Sequence, residues 1–185
     1  MAIDPFTTVF PRIHSVDVAA GEIRQLKAIA GRNLVGRDEP LAQARAAFAA
    51  LTVLAKQPAT LLQYDLLTLE PPIHSALHNS ALTADAAALL GMFGTPQSQL
   101  GLVDFASQST RALEERQAAA SAFSAPVKSR GLLLTQQQIA LQYERYNATQ
   151  KLDQPTQEVL GILLDTIESR AIAAWAWPIF APVHA

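Results

Sequence analysis

The sequence predicts an all-α fold, a single-domain bundle of about six to eight mostly antiparallel helices with short central helices and an extended apolar tail. Three observations lead there. Apolar residues recur at spacings of three and four along most of the chain. Helix-start and helix-stop residues sit at the ends of those periodic runs. The composition is rich in helix formers, with 34 alanines and 25 leucines in 185 residues.

Taken in order, the first seven residues, MAIDPFT, read as a vector-derived tail and are set aside. Thr8–Ile13 is the one strand-like run. Ile23, Leu26, Ile29 and Ala30 form a stripe, which predicts a helix over about 17–34, ended near Gly36. Asp38 and Pro40 suit the cap and first turn of a second helix, 39–56. Its stripe is Leu41, Ala44, Phe48, Leu51 and Leu54. Alanine surrounds that stripe, which predicts burial on more than one face.

Residues 59–69 fit a further helix. Pro71 and Pro72 are expected to break it and to open a short helix over 72–81. Thr83 is the expected cap of 84–93, which stops at Gly94. From Pro96 the pattern predicts one long helix to about 123. Residues 124–134, SAPVKSRGLLL, combine Pro, Gly, Ser and two basic residues and predict an exposed loop, with the leucines turned back onto the core. Thr135 caps a helix over 136–151. Asp153 and Pro155 open the last one, 155–177, ended by Pro178. The expected division is a helical domain over 8–177 and a tail over 178–185.

Charge and cysteine content narrow the function. The chain has 14 Lys and Arg against 16 Asp and Glu, and no two basic residues adjoin. A nucleic-acid interface shows a clustered basic face, so no nucleic-acid partner is expected. With 0 Cys there is no disulfide and no thiolate chemistry. No apolar run reaches 18 residues, so no membrane insertion is expected. A cytoplasmic location is favoured slightly, and an exported mature form stays open because a leader ahead of residue 8 would have been lost with the native N-terminus.

Four groups carry possible chemistry. His74 and His78 stand four residues apart, on one face if both are helical, as in a metal pair. Two ligands do not make a zinc site, and His14 or His184 would have to add a third. Glu70 is expected to be cut off from them by the two prolines. The plain reading is a pair of surface or capping histidines. Second, Leu82–Phe105 has the order of a helix-turn-helix, with Ala87 and Gly91 at suitable positions, but its second helix has no basic residue before Arg111. Third, Tyr143, Arg145, Tyr146 and Arg130 lie on or beside a glutamine-rich helix (Gln136, Gln137, Gln138, Gln142, Gln150). Tyrosine and arginine are common binding hot spots, and the plain alternative is a solvated face. Fourth, Trp177, Ile179 and Phe180 belong to an apolar tail that needs a home on its own domain or on a neighbour.

No nucleophile elbow, phosphate-binding loop, dinucleotide loop or Glu-x-x-His pair occurs. No cofactor is implied. The reading that follows is a non-enzymatic interaction protein, such as a bacterial adaptor, assembly factor or secretion-associated subunit, binding another protein or a second copy. The alternatives are a metal- or ligand-binding enzyme built on His74 and His78, and a DNA-associated regulator.

Overall fold

A computed structural model describes residues 38–56, 66–148 and 153–176. The expected helix over 17–34, the strand-like Thr8–Ile13 and the tail carrying Trp177, Ile179 and Phe180 lie outside these residues. Among the described residues there are seven α-helices and no strand, so the chain is all-α. They fall into two compact units divided between Leu89 and Leu90.

In the first unit the alanine-rich segment forms α1, Asp38–Ala55. Ala44, Ala47, Phe48, Leu51 and Ala55 are buried, and they fall on one stripe at three- and four-residue spacing. Ala42, Ala46 and Ala49 are exposed. The expected burial on several faces is therefore corrected to burial on one. Arg45 extends from α1 to the Ala81 carbonyl, with Nε at 3.3 Å and Nη2 at 3.2 Å.

A 3-10 turn, Leu66–Leu69, leads directly into α2, Glu70–Leu77. Pro71 and Pro72 occupy the first turn of α2. They do not cut Glu70 off, because first-turn N–H groups have no helical partner and proline has none to lose. Asn79 then accepts the Ala81 N–H at 3.1 Å, a side-chain-closed turn. The helix α3 runs Thr83–Phe93. Thr83 is its first residue. Its hydroxyl donates back to the Leu77 and Asn79 carbonyls, both at 3.0 Å, and so ties α3 to the end of α2.

The second unit holds the end of α3 and four more helices. Gly94 stops α3 with φ +57°, in the left-handed region where a side chain is strained. Thr95 caps α4, Pro96–Ala106, by accepting the Ser98 N–H at 3.0 Å. The single long helix expected from Pro96 to 123 is two helices, α4 and α5, the latter Leu113–Arg130. The break falls on Ser107-Gln108-Ser109-Thr110. There the Ser107 hydroxyl donates to the Val103 carbonyl at 2.7 Å, beside the backbone bond from Ser107 N–H to the same carbonyl.

Residues 124–130, expected as loop, continue α5 with Pro126 inside it. Proline strands the carbonyl four residues back, here Ala122. Gly91 lies against that oxygen: a Cβ on Gly91 would come within 2.7 Å of it. Gly91 thus lets α3 and α5 approach at the site of the missing hydrogen bond. Lys128 and Arg130 suit the negative end of the helix dipole, and Gly131 ends α5 at φ +98°. Of the three leucines that follow, Leu134 is buried and Leu133 exposed.

Next come α6, Gln136–Ala148, and α7, Gln154–Ala176. Thr135 and Gln138 form a capping box: Gln138 N–H donates to the Thr135 hydroxyl at 3.3 Å, and Thr135 N–H to Gln138 Oε1 at 2.8 Å. Asp153 caps α7 through the Thr156 N–H at 3.2 Å.

Two successive pairs, α4 with α5 and α6 with α7, run antiparallel. Arg116 meets Ala106 while Gln99 meets Gly131 across α4 and α5. Tyr143 meets Glu168, and Tyr146 lies by Gly161, across α6 and α7. In contrast α5 and α7 run parallel: Arg116 bonds Thr156, and one stretch further on Ser124 and Thr166 hydroxyls stand 2.8 Å apart. Val159, Leu160, Leu163, Leu164 and Ile167 of α7 are buried, as are Ala119, Ala120, Phe123 and Val127 of α5.

Candidate functional site

The helix α6 has an amide, Gln142, at the buried centre of its docked face. In a surface helix the apolar stripe faces the core and polar residues face water. The inward stripe of α6 is Gln138, Ile139, Gln142 and Arg145, four positions at three- and four-residue spacing. Only Gln142 of the thirteen residues is buried, and Gln138, Ile139 and Arg145 are half-buried. Leu141, Tyr143 and Tyr146 are 41%, 38% and 36% exposed.

The contacts that seat α6 are correspondingly polar. Gln142 Oε1 accepts the Ser107 hydroxyl at 3.1 Å, at the end of α4, and the Arg145 guanidinium at 3.3 Å. Gln142 Nε2 is buried and has no partner among the described residues. Arg145 Nη1 also donates to Asp104 Oδ1 at 2.7 Å, in a part-buried ion pair. The Tyr143 hydroxyl donates to Glu168 Oε1 at 2.9 Å. Partial burial of the ring, and then the bond and charge of Glu168, hold the Tyr143 hydroxyl above its ordinary pKa.

The three residues expected to act together therefore have different settings. Tyr143 and Tyr146 lie along α7, partly exposed. Arg145 points the other way, to α4, and is engaged within its own unit. Arg130 is likewise engaged, donating to the Phe93 carbonyl. Leu141, which belongs to none of the four groups, is the most exposed apolar side chain of α6. Trp177, Ile179 and Phe180 lie outside the described residues.

The histidines are placed as follows. Glu70 and His74 share α2, against expectation, with Glu70 Oε1 3.7 Å from His74 Nε2. His78 closes α2, its backbone N–H donating to the Ser75 carbonyl at 3.2 Å. His14 and His184 lie outside the described residues, among which no three His, Cys, Asp or Glu side chains gather to hold a metal.

Sequence reasoning missed Arg116, which sits in a run of charged residues, LEER, that reads as surface. It is 3% exposed. Nε donates to the Ala106 carbonyl at 2.9 Å and Nη1 to Thr156 Oγ1 at 2.8 Å. Nη2 has no partner among the described residues. Burial pushes the guanidinium below the ordinary arginine range, and the Asp153 carboxylate opposes that shift. Gln99 was also missed. It is fully buried and holds the α5–α6 connection through both ends of its amide, to Gly131 O at 3.0 Å and Leu133 N at 2.9 Å. Both residues join helix ends, so both act on the fold.

Among the described residues no helix is long and apolar enough to cross a membrane. The fold and this surface define an all-α protein in which one helix, α6, carries partly exposed Leu141, Tyr143 and Tyr146. No family model, curated protein or solved structure matches the chain.

Proposed function

We propose that this chain is a non-enzymatic protein–protein interaction module, of the adaptor or assembly-factor kind, that binds through α6. The partial exposure of three large apolar and aromatic side chains on one short helix carries the reading. Leu141, Tyr143 and Tyr146 are 41%, 38% and 36% exposed, while Gln142 is buried. Exposing apolar and aromatic side chains in place of burying them has no benefit to the fold of the free chain. Large amphipathic aromatics are suited to contact with another protein. The low charge of the chain, 16% against about 25% in average usage, favours the same reading. In this reading Tyr143 and Tyr146 form the described part of the contact, Arg145, paired with Asp104, holds the helix that carries them, and Trp177, Ile179 and Phe180 extend it.

Site-specific photocrosslinking tests the proposal. A photoreactive phenylalanine analogue is placed at position 141 or 146, with Glu158, an exposed residue of α7, as the control position. The proposal predicts one discrete adduct from 141 and 146 and none from 158. The adduct's mass tells a second copy from a different protein. Equal labelling from all three positions, or none from 141 and 146, would refute it.

A further inference from the structure

The way α6 is held has a consequence that needs no partner. Helices that stay docked do so by burying apolar area, at about 25 cal/mol per Å². The helix α6 has no fully buried apolar side chain; its one buried residue is an amide with an unpartnered Nε2. Its contacts to α4 include Gln142 to Ser107 and the part-buried Arg145–Asp104 pair, and against α7 it sets the exposed Tyr143–Glu168 bond and Tyr146 beside Gly161. Ion pairs at the surface are worth about 0–1 kcal/mol and weaken with salt.

The flanking elements are fastened differently. Leu134, just before α6, is buried, and Gln99 pins the Gly131–Leu133 connection to α4. On the other side, α7 buries Val159, Leu160, Leu163, Leu164 and Ile167 and bonds α5 through Thr156 and Thr166. Few buried apolar contacts within one element mark a unit that opens by itself.

We infer that α6 is a polar latch: it releases from α4 and α7 as a unit while α4, α5 and α7 stay folded. On α7, Gly161 and Glu168 face α6, and Leu164 lies between them on the same helical face. Release therefore uncovers Leu164 and frees both faces of α6. This goes beyond the proposed binding role, because the opening is a property of the free chain and is read without any partner.

Hydrogen exchange of the intact chain, followed by mass spectrometry, tests it. Peptides covering 136–148 are compared with those covering 113–130 and 154–169, each rate taken relative to its unfolded value. The latch predicts exchange in α6 at least about tenfold faster than in the centres of α5 and α7. Asp104→Asn, at a half-buried position outside the apolar core, accelerates α6 by a further few-fold and leaves α5 and α7 unchanged. Protection in α6 equal to that in α7, or a rise in all three helices together in Asp104→Asn, would overturn the inference.

Discussion

The Ser107 hydroxyl, at the end of α4, donates to Gln142 Oε1 at 3.1 Å, and Gln142 is the one buried residue of α6. The same serine also bonds Val103. One residue thus ends a helix and receives the next-but-one helix, by an amide where an apolar side chain would ordinarily stand.

Gln142→Leu should stabilise the protein. The change removes a buried N–H that has no partner, and Ser107 keeps its bond to Val103. Unpartnered buried donors cost about 1–3 kcal/mol. Allowing for the two lost bonds at Oε1, urea unfolding should show a gain of about 1 kcal/mol. A loss of stability would mean that the Ser107 and Arg145 bonds outweigh the orphaned group.

Gly91→Ala should destabilise. The new methyl would sit 2.7 Å from the Ala122 carbonyl oxygen, a backbone atom that cannot swing aside. Overpacking of this kind costs about 1–3 kcal/mol, and a fall in that range is expected in thermal or urea unfolding. A neutral Gly91→Ala would show that α3 and α5 are less closely apposed.

Arg116→Ala and Arg116→Met separate charge from packing. Alanine removes two buried bonds and leaves a hole beside the Ala106 carbonyl and Thr156, and should cost about 3–5 kcal/mol. Methionine keeps the bulk and removes a desolvated charge with an unpartnered Nη2, and should cost less than half of that. Equal losses in urea unfolding would assign the whole effect to the hydrogen bonds.

Two groups set the pH dependence. The Thr156 hydrogen bond, with a smaller contribution from Arg116, lowers the Asp153 pKa from 3.8. Its stabilising effect is therefore complete above about pH 4 and fades as pH falls through the lower, folded value. The Tyr143 pKa is raised from 10.0, so its contribution is complete below that pH and fades as pH rises beyond it. Unfolding measured across pH should show less acid loss in Asp153→Asn and less alkaline loss in Tyr143→Phe. Parallel curves for variants and parent would contradict the assignment.

Much of the fold was legible because caps and stops are local. Gly94, Thr135 and Asp153 act within one turn of the chain and are found in place, whereas Thr83, expected as a cap, is the first residue of α3 and donates back to α2. The errors came where a local rule met a distant partner. Pro126 reads as a loop signal, yet it lies within α5, where Gly91, on another helix, meets the carbonyl it strands. Ser107 reads as part of a continuous helix, yet α4 ends at Ala106 and the chain turns before α5. In the candidate site, the tyrosines and glutamines were visible as residue types. Which of them faced inward was not, because an amide, Gln142, takes the buried place on α6. Arg116 could not be found at all, since its partners lie 10 and 40 residues away.

The proposed contact is made by the partly exposed Leu141, Tyr143 and Tyr146 of α6. It is tested most directly by crosslinking from position 146 in a Leu141→Gln variant whose stability is checked in parallel. At a position 41% exposed, unfolding should shift by no more than about 0.5 kcal/mol. The adduct yield should fall at least about tenfold, as expected when a hot-spot side chain is removed. An intact fold with undiminished crosslinking would contradict the account.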